Sequence, residues 1–253
     1  MPLLRRLVPV VFLLLFAASA PGETAVEAGN RTQTLQFGNL TEPTDLDPQI
    51  IVSVQDFNIV VALMEGLTQY DPKDLHPVPG VAESWESSAD GLTWTFHLRP
   101  DARWSNGDPV TARDFVYAYR RMLSPGLGSE YSYMLYVLKQ AEAYNTGRLA
   151  DFTQVGVQAV DDRTLVFSLV HPVPYFPHLV SHQSWYPVHP ATIAKFGRID
   201  QRGTRWTRPG NYVGNGPFVL AAWEPNQVIR VTRSPTYWDR ARVKLNEIDF
   251  HPI

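Results

Sequence analysis

From Leu92 to Leu98 the chain alternates, with Leu92, Trp94, Phe96 and Leu98 on one side and Thr93, Thr95 and His97 on the other. This period of two predicts a strand with one buried face. Asn106-Gly107 then supplies a turn, and Thr111 with Asp114 three residues on has the form of a capping box for a helix over 112–122. Phe115, Ala118, Tyr119 and Met122 share one face of that helix. Upstream, TLQFGN over 34–39 alternates as a short strand, LTEPTDLDPQ is a loop rich in Pro and Asp, and the apolar spacing of 56–65 predicts a helix stopped by Gly66. DPKD and HPVPG read as turns. Downstream, VGVQAVDDRTLVFSLV predicts a hairpin about Asp161-Asp162-Arg163, 191–196 a helix stopped by Gly197, and GPFVLAAWE with QVIRVTRS a hairpin across Pro225-Asn226. LNEIDFHPI closes the chain as a strand.

Short elements joined by rigid turns fit a chain with 21 prolines, 16 glycines and 7 tryptophans among 253 residues, and point to a mixed α and β fold. A formal net charge of -3, with basic residues scattered rather than clustered, argues against nucleic acid as a partner. Residues 1–22 have the layout of a secretory signal: Arg5 and Arg6, an apolar run from Leu7 to Phe16 too short to span a bilayer, then small residues from Ala17 to Ala20. Ala20 is the expected cleavage position, with Gly22 and Ala28 as rivals. With no cysteine, disulfides, thiolate sites and the attachment point of a bacterial lipid anchor are excluded, so the expected product is exported to the periplasm and soluble.

Catalytic patterns are thin. His178 and His182 stand four apart without the acid of a zinc helix, and GNYVGNG over 210–216 lacks both the lysine of a phosphate cradle and the spacing of a dinucleotide loop, so it reads as a turn. No nucleophile elbow is present, and Asp161-Asp162 is explained by a hairpin tip. Neither catalytic residues, nor a metal, nor a cofactor are expected.

Five blocks in order, VAESWE, WTFHLRPDARWSNGDPVTARDFVYAYRRM, VQAVDDRTLVFSLVHPVPYF, RPGNYVGNGPFVLAAW and RSPTYWDRA, resemble the oligopeptide-binding proteins of bacterial ABC importers, a family of extracellular solute-binding proteins that also takes in dipeptide and nickel binders. The resemblance runs from about Leu35 to Ile253. It implies an α/β, periplasmic-binding-protein-like fold (type II, cluster C): the first lobe begins over 31–65, a family-specific extra α+β subdomain occupies 66–188, and the first lobe continues over 189–253. The second lobe is absent, since family chains are roughly twice this long. The chain is accordingly expected to be an N-terminal fragment whose first-lobe sheet has an exposed edge.

The function the resemblance implies is capture of short peptides between two lobes, as a monomer, for delivery to an ABC permease in the inner membrane, with the peptide backbone added as a strand. It places Ile51 to Val54 at the cleft edge, with main-chain groups of Ser53 and Val54 facing the peptide and Val52 where a peptide-binding member can carry an acidic residue. Tyr131 is similar to a tyrosine that lines the cleft, and His182 aligns near it. Two other readings stand beside this one: a half-receptor with a structural or interaction role and no tight ligand, and a secreted hydrolase.

Overall fold

The computed structural model describes residues 24–253, so the signal segment over 1–22 lies outside the described residues. Six helices, α1 (Ala25–Thr32), α2 (Val54–Leu63), α3 (Ala112–Met122), α4 (Ala141–Asn145), α5 (Phe176–Leu179) and α6 (Pro190–Phe196), accompany ten strands. The strands β1 (Thr34–Gly38), β2 (Thr68–Tyr70), β3 (Pro77–Pro79), β4 (Ala82–Ser87), β5 (Thr93–Leu98), β6 (Val157–Ala159), β7 (Thr164–Ser168), β8 (Phe218–Glu224), β9 (Val228–Arg233) and β10 (Glu247–His251) form three sheets. One has the order β1-β10-β9-β8, the second is β2-β3, and the third has the order β4-β5-β7-β6. None of the described helices is long and apolar enough to cross a membrane.

The alternation over 93–98 produces β5, whose Trp94, Phe96 and Leu98 are buried. These side chains, with Phe167 of β7, meet α3, α5 and the 3-10 turn Gln183–Trp185 in an aromatic core. Its rings meet mostly edge to face: Phe96–Phe167 at 5.6 Å, Phe167–Phe176 at 5.1 Å and Phe176–Trp185 at 5.5 Å. The helix over 112–122 begins where its cap places it, because the Asp114 carboxylate accepts the Thr111 amide at 2.9 Å and the Trp104 indole N–H at 3.1 Å. Phe115, Ala118, Tyr119 and Met122 are its buried face. Both expected hairpins form, β6 with β7 and β8 with β9, the second turning on Asn226 at φ 58.

Four local expectations are corrected. The helix expected over 56–65 runs Val54–Leu63, because Ser53 is already extended and Met64 turns extended again where Gly216 donates to the Leu63 carbonyl at 3.0 Å. HPVPG contains β3, which pairs with β2 in a two-stranded ribbon where proline costs no ladder bond to a third strand. In GNYVGNG only Gly210 has a left-handed φ; a Cβ on Gly214 would sit 2.2 Å from the Leu63 carbonyl oxygen and one on Gly216 would sit 2.5 Å from the Met64 nitrogen. Those two glycines let the backbone press against the end of α2. Ile51, expected at the cleft edge, is 2% exposed and belongs to the core.

The sheet edge at β1 is open. Among the described residues β1 pairs only with β10, in parallel, and Leu35 and Phe37 remain exposed although the Phe37 ring meets Phe250 edge to face at 5.6 Å.

Candidate functional site

The loop before α2 is held from below by a buried ion pair. Arg121 of α3 is fully buried; its two terminal nitrogens donate to the Asp47 carboxylate at 3.0 and 2.6 Å, and one of them also reaches the Gln49 side chain at 2.7 Å. Gln49 in turn donates to the Ala118 carbonyl at 2.6 Å. A fork on a carboxylate fixes both angle and distance, so this loop cannot slide along α3. Beside it, burial and the neighbouring Asp47 charge push the Asp45 carboxyl above the usual range.

From the other side, Asp56 of α2 accepts the Thr44 amide and hydroxyl, both at 3.1 Å, and Asn39 donates to the Gln55 carbonyl at 2.9 Å. Asp56 is thereby turned away from its own helix start, and Ser53, in the N-cap position, makes no side-chain cap bond; its hydroxyl oxygen is buried without a partner. Among the described hydrogen bonds none uses the amides of Val52, Ser53, Val54, Gln55 or Asp56, while Phe57 donates to the Ser53 carbonyl at 3.1 Å. The first amides of a helix have no internal acceptor, and here no side chain supplies one. Within this run of donors Val52, 48% exposed, and Val54, 62% exposed, present apolar side chains.

Tyr131 and His182 come together directly, ring edge to face at 5.2 Å, with the exposed Tyr133 next to Tyr131 at 6.3 Å. His182 caps the turn Gln183–Trp185: its Nδ1 accepts the Ser184 amide at 3.3 Å and faces the Ser184 hydroxyl at 2.9 Å. That leaves the proton on Nε2, and burial lowers the imidazole pKa. The ring is therefore a neutral donor at neutral pH. Helix α2 packs against the same turn. No described hydrogen bond or ring contact joins Val52–Val54 to the Tyr131–His182 pair, so the five expected residues form two patches bridged by the turn.

At the far end of α2 lies a group that the sequence did not single out. Glu65 is buried, and its carboxylate accepts the Tyr237 hydroxyl at 2.5 Å, the Trp238 indole at 2.7 Å and the Gln69 amide. Its backbone pairs twice with the Asn215 side chain, at 3.0 and 2.9 Å. Desolvation pushes the Glu65 pKa up to about 7 against the opposing pull of Tyr237, Trp238 and Arg99. Arg99 lies over the Trp238 ring, 3.3 Å from its centroid. The only sequence signal is a glutamate closing an apolar helix, with an aromatic pair, YW, far downstream.

Asp71, Asp74 and His76 bring ligand atoms within 4.8 Å of one another. Asp71 accepts the Lys73 amide at 2.8 Å and Asp74 the His76 amide at 3.2 Å, so these carboxylates build the turn before β3.

A family model for the middle region of the bacterial extracellular solute-binding proteins, family 5, matches residues 76–253. The chain belongs to this family. It is similar to the periplasmic oligopeptide-binding protein OppA of Escherichia coli, 45% identical over 223 residues that make up 87% of this chain and 39% of that protein. It is also similar to the dipeptide-binding protein DppE of Bacillus subtilis, 39% identical over 85% of this chain and 38% of that protein. Among solved structures, Haemophilus influenzae OppA in complex with RPPGFSPFR superposes with a TM-score of 0.82 at 38% identity, over 88% of this chain and 42% of that one. The murein tripeptide-binding protein MppA of Escherichia coli gives 0.81 at 36% identity, over 87% and 42%. The chain thus spans about two-fifths of the length of these family 5 relatives, and its fold is that of one lobe of a periplasmic-binding-protein-like architecture.

Proposed function

We propose that this family 5 chain forms one wall of a receptor that captures short peptides in the periplasm and delivers them to an ABC permease of the inner membrane. The observation that carries the reading is the run of unpartnered amides from Val52 to Asp56, which includes the exposed Val52 and Val54. Main-chain donors at an exposed, apolar edge suit a peptide bound through its backbone, with little demand on its side chains. The Tyr131–His182 patch adds an aromatic face and one neutral donor for the ligand's side chains. Residues 31–65 and 189–253 supply the lobe, 66–188 the extra subdomain, and 1–22 the cleaved export signal.

The same geometry supports binding without bond cleavage. The Ser184 hydroxyl beside His182 is fully buried, and that histidine nitrogen is occupied by a cap. His189 and Thr192 repeat the pattern at the start of α6, with Asp108 on the outer nitrogen at 3.1 Å and the ring nitrogen of the cap accepting the Thr192 amide. A nucleophile must reach its substrate, and the fully buried Ser184 hydroxyl does not.

The test is a titration of the isotope-labelled chain with trialanine at millimolar concentration, read by amide NMR. Shifts are expected at Val52–Asp56 and around Tyr131. Val54→Pro removes one donor at the first helical position, where proline is tolerated and the preceding Ser53 is already extended. It should weaken binding about fivefold to tenfold, as loss of one hydrogen bond does, with an unchanged melting temperature. Unshifted amides at 52–56, or full affinity in Val54→Pro, would sink the reading.

A further inference from the structure

The residues outside the candidate site hold a second opening. A cavity of about 630 Å³ runs along the outer edge of β6, between α3 and the segment 152–159, and continues into a trench of about 430 Å³ toward Arg120. Neither shares a residue with the Val52–Val54 or Tyr131–His182 patches.

The edge itself is open for pairing. β6 is the last strand of its sheet. Ser168 donates to the Gly156 carbonyl at 2.9 Å and Val160 to the Thr164 carbonyl at 2.9 Å. In an antiparallel ladder, residues that exchange hydrogen bonds alternate with residues that do not, so Gln158 faces β7 while the main-chain groups of Val157 and Ala159 point outward. The Val157 amide is spent on the Val155 carbonyl at 2.6 Å. The Val157 carbonyl and the Ala159 amide and carbonyl remain, a set that one added strand can satisfy.

The walls say which strand. Val116, Phe152 and Val166 give an apolar lining, and Arg113, Lys139 and Arg120 stand along the cavity and trench. Arg113 shares Asp162 at 3.3 Å, whereas Arg120 and Lys139 form no ion pair among the described residues. Asp151 is the one acid in the trench lining; its carboxylate accepts the Thr153 amide and hydroxyl at 3.0 and 2.7 Å and stays charged, so three bases stand against one acid along the groove. Arg113 and Arg120 belong to α3 and Lys139 to the segment before α4, so the bases flank the β6 edge rather than sit on it, and their charge favours a partner carrying carboxylates.

We propose that the outer edge of β6, with the groove beside it, docks an extended acidic segment of a partner protein by strand addition. The peptide backbone takes the free groups of Val157 and Ala159, apolar side chains enter between Val116 and Phe152, and acidic ones meet Arg113, Lys139 and Arg120. This surface is separate from the peptide ledge, so the receptor can hold cargo and partner together.

The probe is acetyl-Val-Glu-Val-Glu-Val-amide, titrated into the labelled 253-residue chain at low salt, with the Lys-for-Glu peptide as control. Saturable shifts are expected at Gly156–Val160 and Val116 with the acidic peptide alone, with affinity falling as salt rises. Ala159→Pro removes an outward amide without touching the ladder to β7 and should weaken binding about fivefold to tenfold at constant melting temperature. Arg113→Glu with Lys139→Glu should abolish the preference for the acidic peptide. The proposal is overturned by equal binding of the two probes, by full affinity in Ala159→Pro, by sedimentation showing β6 already paired in a dimer of this chain, or by shifts confined to Val52–Asp56. The same spectra report the peptide ledge by itself, so its success or failure is read separately.

Discussion

Replacing Glu65 by glutamine tests how much a buried acid at the end of α2 makes stability depend on pH. The carboxyl is 2% exposed, and burial moves it from an ordinary 4.5 to about 7. At about 1.36 kcal/mol per pH unit, that displacement corresponds to about 3 kcal/mol. The folded state holds the proton more tightly than the unfolded chain, so between pH 4.5 and 7 it binds more protons and stability falls as pH rises. The contribution is whole below the unfolded value and gone above the folded one. Arg99 works against this displacement and Asp239 with it, and both remain in Glu65→Gln. Glutamine keeps the shape and cannot ionise, so the variant lacks this dependence. The stability difference, variant minus wild type, should therefore rise by about 3 kcal/mol from pH 4.5 to pH 8. For a chain of this size that is about 6–12 °C in melting temperature. Urea unfolding followed by tryptophan fluorescence across that range measures it, with Trp238 at the site as a local reporter. A difference that stays constant, or moves toward wild type as pH rises, refutes the reasoning.

Two further perturbations probe the supports of α2. Arg121→Met leaves Asp47 buried without its partner and should cost about 3–5 kcal/mol in urea unfolding, as breaking one side of a buried pair does; a loss below about 1 kcal/mol would mean that the loop holds itself in place. Gly214→Ala drives a Cβ into the Leu63 carbonyl and should cost about 1–3 kcal/mol with amide shifts at Leu63 and Met64, whereas an unshifted spectrum would show that the contact yields freely.

The elements most legible in the sequence are those whose pattern and punctuation agree. β5 alternates cleanly, and the helix over 112–122 has Thr111, Asp114 and an apolar stripe all pointing to the same boundaries. β4 was not predicted because Trp85 lies among Glu and Ser, and most of the strand is exposed. β3 was hidden by its prolines, which ordinarily signal turns. α1 owes its start to the Thr24–Glu27 box in a segment that reads as the tail of an export signal. At the site, Val52, Ser53 and Val54 are neighbours in the chain and could be placed together, but the idle Ser53 cap could not be foreseen, because Asp56 and Thr44 commit their side chains only in three dimensions. Ile51 was misplaced for a related reason: a one-residue change of direction at the loop's end separates core from surface. Glu65 and Arg121 escaped altogether, since buried charges look like surface charges until their partners, 172 and 74 residues away, are known.

The pairing of β1 with β10 has a meaning in time as well as in space. Its partners lie 213 residues apart, as in the bond from Gln36 to Asp249, and among the described residues β1 has no other neighbour. A ribosome adding about 5–20 residues per second completes β10 about 10–40 s after β1. The sheet of β4 to β7 is finished well inside that interval, since its last strand ends at Ser168. Until β10 is made, β1 waits as a free strand with Leu35 and Phe37 uncovered, and anything that shields it has seconds in which to act.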